Sequence, residues 1–203
     1  MVSAMVTGFS ADKVRIDAVV VGASAGAIEA LNVLLPALPK AIRASVIVLV
    51  HIPPNQPSLL VQLFGPRSAP RVSEVIDKEP VGTGTIWFAP PNYHVLIERE
   101  RSFALSLDEP VHFSRPSIDV LFESAADAFA DSLCCVVLTG ANEDGAQGAS
   151  SIRRRGGLVI VQEPNGAEAK QMPNAAIALA NPQIVAPLPE IAELIRLATR
   201  AEP

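Results

Sequence analysis

Three residue types that together can activate a hydroxyl stand at the ends of three apolar runs. Ser24 follows residues 16–21, His51 follows residues 45–50, and the acidic pair Glu143-Asp144 follows residues 133–139. A serine Oγ attacks a carbonyl well only when a neutral imidazole takes its proton. That imidazole works best when a carboxylate holds its tautomer and steadies the imidazolium. The surroundings of Ser24 suit such a role. Gly22-Ala-Ser-Ala-Gly26 fits G-x-S-x-G, whose small neighbours let the chain turn sharply from strand to helix and push the serine outward. The corner also aims the free N–H groups of the helix start, Ala25 first, at whatever the serine attacks.

Each residue has a plainer reading. A strand, glycine turn and helix also make phosphate or dinucleotide sites, and a serine there can simply cap the helix. His51 before Pro53-Pro54 reads equally as a capping or surface histidine, and Asp144 before Gly145 as a turn residue. The cofactor reading is tested within the chain. A glycine turn of the short-chain dehydrogenase type needs Tyr-x-x-x-Lys, yet Ile97 lies four residues after the only tyrosine, Tyr93. His51 stands where a dinucleotide site favours an acid, and no Gly-Lys-Ser/Thr follows the turn. The order serine, histidine, acid departs from the serine, acid, histidine order of ordinary α/β-hydrolases.

The elements that would position these residues follow from periodicity. Residues 16–21 are β-branched and apolar, as an interior parallel strand requires, and Gly22 is expected to end that strand. Ala27, Ile28, Leu31, Leu34 and Leu35 have helical spacing, closed by Pro36 and Pro39. Further strands are expected at 45–50, 71–75, 85–89, 133–139, 158–162 and 184–186. A hairpin is expected from 93–97 and 103–107 around the charged turn 98–101. Helices are expected at 57–64, at 117–129 with Ser117 as N-cap, from the Gly140–Gly148 segment to Gly156, from Pro173 after a polar loop at 163–171, and at 190–200. Arg153, Arg154 and Arg155 suit the basic last turn of a helix. The alternation predicts an α/β fold of the doubly wound, Rossmann-like kind, with a mostly parallel sheet, helices on both faces and an antiparallel hairpin at one edge. If the strand order reverses between the Ser24 and 133–139 strands, the crevice there gathers all three side chains.

Composition narrows the rest. The chain has 203 residues, 49% hydrophobic and 18% charged, which suits one well-buried domain over residues 15–203 behind a flexible leader at 1–14. A net charge of −5 argues against nucleic acid or an anionic membrane as a partner. No apolar run approaches the ~18 residues that span a bilayer, so a cytoplasmic location is expected. The adjacent Cys134 and Cys135, in an apolar run, should point to opposite faces as small buried hydrophobes, with neither a disulfide nor a metal site.

Six segments together resemble the catalytic domain of the CheB-type protein-glutamate methylesterases of bacterial chemotaxis. They are 22–30, 50–55, 88–94, 115–122, 138–145 and Met172-Pro173, in the family's order over about residues 16 to 200. The resemblance implies Ser24 as nucleophile, His51 as general base and acid, Asp144 as its orienting carboxylate, and no cofactor. It implies hydrolysis of glutamate γ-methyl esters, with glutamine deamidation beside it, on the cytoplasmic domains of methylated chemoreceptors. The family usually carries a receiver domain ahead of the catalytic one, for which residues 1–14 are too short, so the enzyme is expected to be either constitutive or governed by a partner, such as a separate response-regulator or methyltransferase chain. Where the family commonly has Met three residues before the aspartate, this chain has Ala141; where many members have Thr after the serine it has Ala25, leaving only the backbone N–H as an oxyanion donor. Arg115 and Met172 are the remaining candidates for the cleft, with a surface ion pair and core packing as their plainer roles. Two competing readings are a non-catalytic module that binds a receptor or methyltransferase, and a serine esterase for a substrate outside chemotaxis.

Overall fold

The computed structural model describes residues 15–52 and 56–200. The expected leader at 1–14 lies outside the described residues, as do positions 53–55 and 201–203. In chain order the strands are β1 (Ala18–Ala23), β2 (Ser45–Val50), β3 (Arg71–Glu74), β4 (Thr85–Phe88), β5 (His94–Ile97), β6 (Phe103–Ser106), β7 (Leu133–Val137), β8 (Leu158–Gln162) and β9 (Ile184–Ala186). The helices are α1 (Ala27–Leu34), α2 (Leu60–Phe64), α3 (Ile118–Phe129), α4 (Ala146–Arg154), α5 (Gln171–Ala180) and α6 (Leu188–Thr199).

Seven strands form a parallel sheet in the order β3-β4-β2-β1-β7-β8-β9. The chain leaves β1 in one direction through β2 and later returns to β1's other side with β7, so the order reverses there as expected. Every residue of β1, β2, β7 and β8 is buried, because helices cover both faces. Alternation along β1 divides the core in two. Val19, Val21 and Ala23 pack with Leu31 and Leu34 of α1 and Ile191 and Ile195 of α6. Ala18 and Val20 pack with Phe122 of α3, Ile152 of α4 and Ala176 of α5. Cys134 joins the first layer and Cys135 the second, both as free thiols, and burial drives both away from ionisation.

Three expectations need correction. Gly22 does not end β1: it pairs with Leu49 on one side and Val137 on the other. Glycine is needed there for close approach, since a Cβ would lie 2.5 Å from Cγ2 of Ile118 at the start of α3. The strand ends one residue later, and Gly26, at φ 79°, opens α1 in the left-handed region that glycine adopts freely. Helix α5 begins at Gln171, with Pro173 in its first turn, where a missing N–H breaks no helical bond. The hairpin β5–β6 is a separate two-stranded sheet, not hydrogen-bonded to the seven-stranded one. Among the described residues no helix is long and apolar enough to cross a membrane.

Candidate active site

Adjacent parallel strands set the first two site residues side by side. The register Ala23↔Val50 makes Ser24 and His51 the next rung, and the His51 N–H still bonds to the Ala23 carbonyl at 3.2 Å. Neighbouring strands lie about 4.8 Å apart, so no long loop is needed to bring serine and histidine together. On the other flank the Ser24 N–H donates to the Thr139 carbonyl at 2.9 Å, extending the β1–β7 ladder past both strands. Carried one rung beyond the strand ends, the alternation that aims Val20 and Leu49 at the α3 layer sends Ser24 and His51 the same way.

Asp144 waits on that side. Its Oδ2 lies 2.9 Å from His51 Nε2, with the histidine side chain 12% exposed and the aspartate wholly buried. Of the acidic pair, Asp144 turns inward, while Glu143 remains exposed and faces His112 at 3.7 Å. The same carboxylate occupies the start of α3. Oδ1 accepts the Ser117 hydroxyl at 2.8 Å and the Asp119 N–H at 2.9 Å, and Oδ2 accepts the Ile118 N–H at 2.7 Å. Ser117 therefore stands at the N-cap position without capping through its own side chain. The stronger, charged acceptor arrives from 27 residues further along, and the serine hydroxyl donates to it instead. Burial pushes the Asp144 carboxyl up, but the His51 ring and the Asp119 and Ile118 amides outweigh it and hold the group below its ordinary range. Because the acceptor-only carboxylate takes the proton of Nε2, Nδ1 is the imidazole nitrogen left for the serine.

Support continues outward through residues the sequence did not single out. His94 is buried; its Nδ1 accepts the Ser117 N–H at 3.2 Å, and its Nε2 donates to the Glu109 carbonyl at 3.1 Å. The small sheet thus grips the residue that grips Asp144. Thr139 Oγ1 donates to the Ala25 carbonyl at 2.8 Å and accepts the Ala169 N–H at 2.9 Å, tying the serine turn to the 163–171 loop. The Thr139 N–H is held by Gln162 Oε1 at 2.9 Å. No local pattern marks these residues; a threonine and a glutamine at the ends of buried strands are their only sequence signal.

The remaining candidates fall in different places. Ala25 and Ala141 are exposed on the two turns flanking Ser24, and among the described residues neither N–H has an acceptor. Arg115 borders a cleft of about 400 Å³ that it shares with His51, Ile52, Asn92, Pro110 and Phe113. Among the described residues it makes no ion pair: its guanidinium donates to Asn92 Oδ1 at 2.8 Å and to the Leu107 and Asp108 carbonyls at 2.9 and 3.1 Å. Met172 is fully buried under Gly140, whose Cβ would meet its Cε at 2.5 Å, so it supports the turn from below and offers the cleft no surface. Asp119, beside Asp144, is raised to about 6 by burial and by the neighbouring charge, against the pull of the Gly148 amide and His112.

Most of the chain is similar to known proteins. Residues 19–195 match the family model described as CheB methylesterase. A putative protein-glutamate methylesterase/protein-glutamine glutaminase of Leptospira interrogans serogroup Icterohaemorrhagiae serovar copenhageni is 43% identical over 182 residues, covering 89% of this chain and 94% of that protein. The protein-glutamate methylesterase/protein-glutamine glutaminase of Symbiobacterium thermophilum is 35% identical over 93% of this chain, which spans 52% of that longer protein. Among solved structures, the Thermotoga maritima CheB methylesterase catalytic domain superposes with a TM-score of 0.85 at 30% identity, covering 91% of this chain and all of that one. With most of its length inside the family model and a sheet shared with a member's catalytic domain, the chain belongs to the CheB methylesterase family.

Proposed function

We propose that this protein is a serine hydrolase that removes methyl groups from protein glutamate γ-esters on chemoreceptor cytoplasmic domains. The observation that carries the reading is the 2.9 Å bond between His51 Nε2 and a buried Asp144, on the strand rung beside Ser24. Asp144 holds the His51 proton on Nε2, so Nδ1 takes the proton of Ser24 Oγ as that oxygen attacks the ester carbonyl. The Ala25 and Ala141 N–H groups flank the serine and supply donors for the oxyanion. Collapse of the tetrahedral intermediate breaks the carbon–methoxy bond. His51 returns the proton to the departing oxygen, which leaves as methanol, and the glutamyl group stays on Ser24. Water, deprotonated by the same imidazole, then cleaves that ester and frees the carboxylate and the serine. Replacing methoxy by an amino group gives the glutaminase reaction of the names its relatives carry, with ammonia leaving. The mechanism asks nothing of a metal or organic cofactor.

The test is methanol release from a methyl-esterified chemoreceptor cytoplasmic fragment, run beside labelling with a fluorophosphonate. Ser24→Ala should abolish labelling, and both Ser24→Ala and His51→Ala should lower release by at least ~10³-fold. Labelling lost without any release by the wild type would keep the hydrolase and discard the receptor substrate. Unchanged release in Ser24→Ala would remove the mechanism.

A further inference from the structure

Between Pro110 and Pro116, at the mouth of the cleft that contains His51, the chain doubles back on itself. Val111 and Ser114 exchange two backbone hydrogen bonds, at 3.1 and 2.8 Å, which leaves His112 and Phe113 as the two central residues of a tight turn. Both have positive φ, 49° and 59°. Turns of this kind favour Asn-Gly, because a Cβ is crowded against the backbone at positive φ. A histidine and a phenylalanine there are costly choices, and nothing in the fold repays the second. Phe113 is 104% exposed, the most exposed large apolar side chain among the described residues.

The turn is nevertheless firmly held. His112, itself exposed, reaches back toward Asp119 at 3.4 Å and Glu143 at 3.7 Å. The base is fixed by the Arg115 guanidinium through Asn92 and the Leu107 and Asp108 carbonyls. One central residue thus anchors the turn and the other is presented to solvent beside the reacting groups. A strained backbone kept in place around a functional site is a reason to look for a task, and the task of an exposed ring at the mouth of a cleft is contact with what enters it.

We infer that Phe113 is a specificity contact for the esterified protein, seating an apolar side chain of the substrate next to the residue that carries the ester. This rests on the reading of the chain as an esterase acting on protein. The occupant is the substrate itself, because Phe113 borders the cleft that also exposes His51, the group that takes the serine proton in the proposed mechanism. A small ester reaches Ser24 without covering Phe113; a protein substrate does not.

The experiment compares kcat/KM for two substrates, a methyl-esterified chemoreceptor cytoplasmic fragment and p-nitrophenyl acetate, in wild type, Phe113→Ala and Phe113→Leu. Removing a buried phenyl ring from the complex is expected to lower kcat/KM on the fragment about tenfold or more relative to the small ester, mostly through KM, with Phe113→Leu in between. An equal fall on both substrates would mean that the ring acts through the shape of the cleft, and overturns the inference. No fall on either overturns it as well. Wild type that cleaves p-nitrophenyl acetate but not the fragment refutes the receptor-substrate reading, and this inference with it; that outcome is visible before any variant is made.

Discussion

Replacing Asp144 by Asn changes one atom and exposes how much rests on that carboxylate. Its two oxygens accept four hydrogen bonds and donate none: Ser117 Oγ and the Asp119 N–H on Oδ1, His51 and the Ile118 N–H on Oδ2. An asparagine must turn its amino group toward one of these pairs. The serine hydroxyl can rotate and the imidazole can change tautomer, but a backbone N–H cannot become an acceptor. One amide, of Asp119 or Ile118, is therefore stranded in either orientation, at about 1–3 kcal/mol. The three surviving bonds lose the assistance of the charge, roughly 1 kcal/mol each, and relief from burying that charge returns part of the sum. The net loss is about 3 kcal/mol, which for a domain of this size lowers Tm by roughly 6–12 °C. Because the folded carboxyl titrates below its ordinary range, this stability is present above about pH 4 and is lost as pH falls through the lowered value. The gap between wild type and Asp144→Asn should therefore close in acid. Methanol release should drop on the order of 10²–10⁴-fold, by analogy with the same exchange in other triads. Thermal melts from pH 7 downward and release at pH 7 check both. A Tm within about 2 °C of wild type, or release within tenfold, would refute the shared role of Asp144 as cap and as orienting acid.

Thr139→Val keeps the side-chain shape but strands the Ala25 carbonyl and the Ala169 N–H; a stability loss of about 2 kcal/mol in urea melts and slower fluorophosphonate labelling of Ser24 are expected, and neither should change if the serine turn holds itself. Asp119, raised from 3.8 to about 6, adds stability below pH 4 that is lost as pH climbs through 6, by up to ~3 kcal/mol. Asp119→Asn keeps an oxygen for the Gly148 N–H and should lack that decline, so the two stability curves diverge between pH 4 and 6 in favour of the variant; parallel curves would contradict the shift.

The strands and the chemistry were legible for related reasons. Buried parallel strands must be nearly all apolar and β-branched, so β1, β2, β7 and β8 declared themselves, and functional groups in such sheets follow strand C-termini. Register alone sets Ser24 and His51 side by side at the ends of β1 and β2. What could not be read were bonds whose partners lie far apart in the chain. Ser117 carried the ordinary local signature of an N-cap, and no local rule announces that an aspartate 27 residues on will displace it. His94 sits in a strand whose pattern says nothing about which ring nitrogen meets which backbone group. Gly22 looked like a strand end because the usual reason for glycine is conformational, whereas here the reason is Ile118 pressing from another element. The turn at His112-Phe113 puts a phenylalanine at a positive φ that turn preferences reserve for Asn, Asp and Gly, and it was invisible for that reason.

The loan of Asp144 to α3 has a consequence for when the enzyme becomes competent. Pairing of β1 with β2 sets Ser24 beside His51 in register, but the carboxylate reaches His51 from a cage made by the first turn of α3. A nascent or partly opened chain can thus hold the serine beside the histidine and still lack the charge that makes them work. In the proposed mechanism hydrolysis therefore requires α3 to be docked as well as β1 paired with β2. The amide protons of Ile118 and Asp119 are then an internal gauge: as long as they resist exchange with solvent, Asp144 is held at the start of α3, and no substrate is needed to see it.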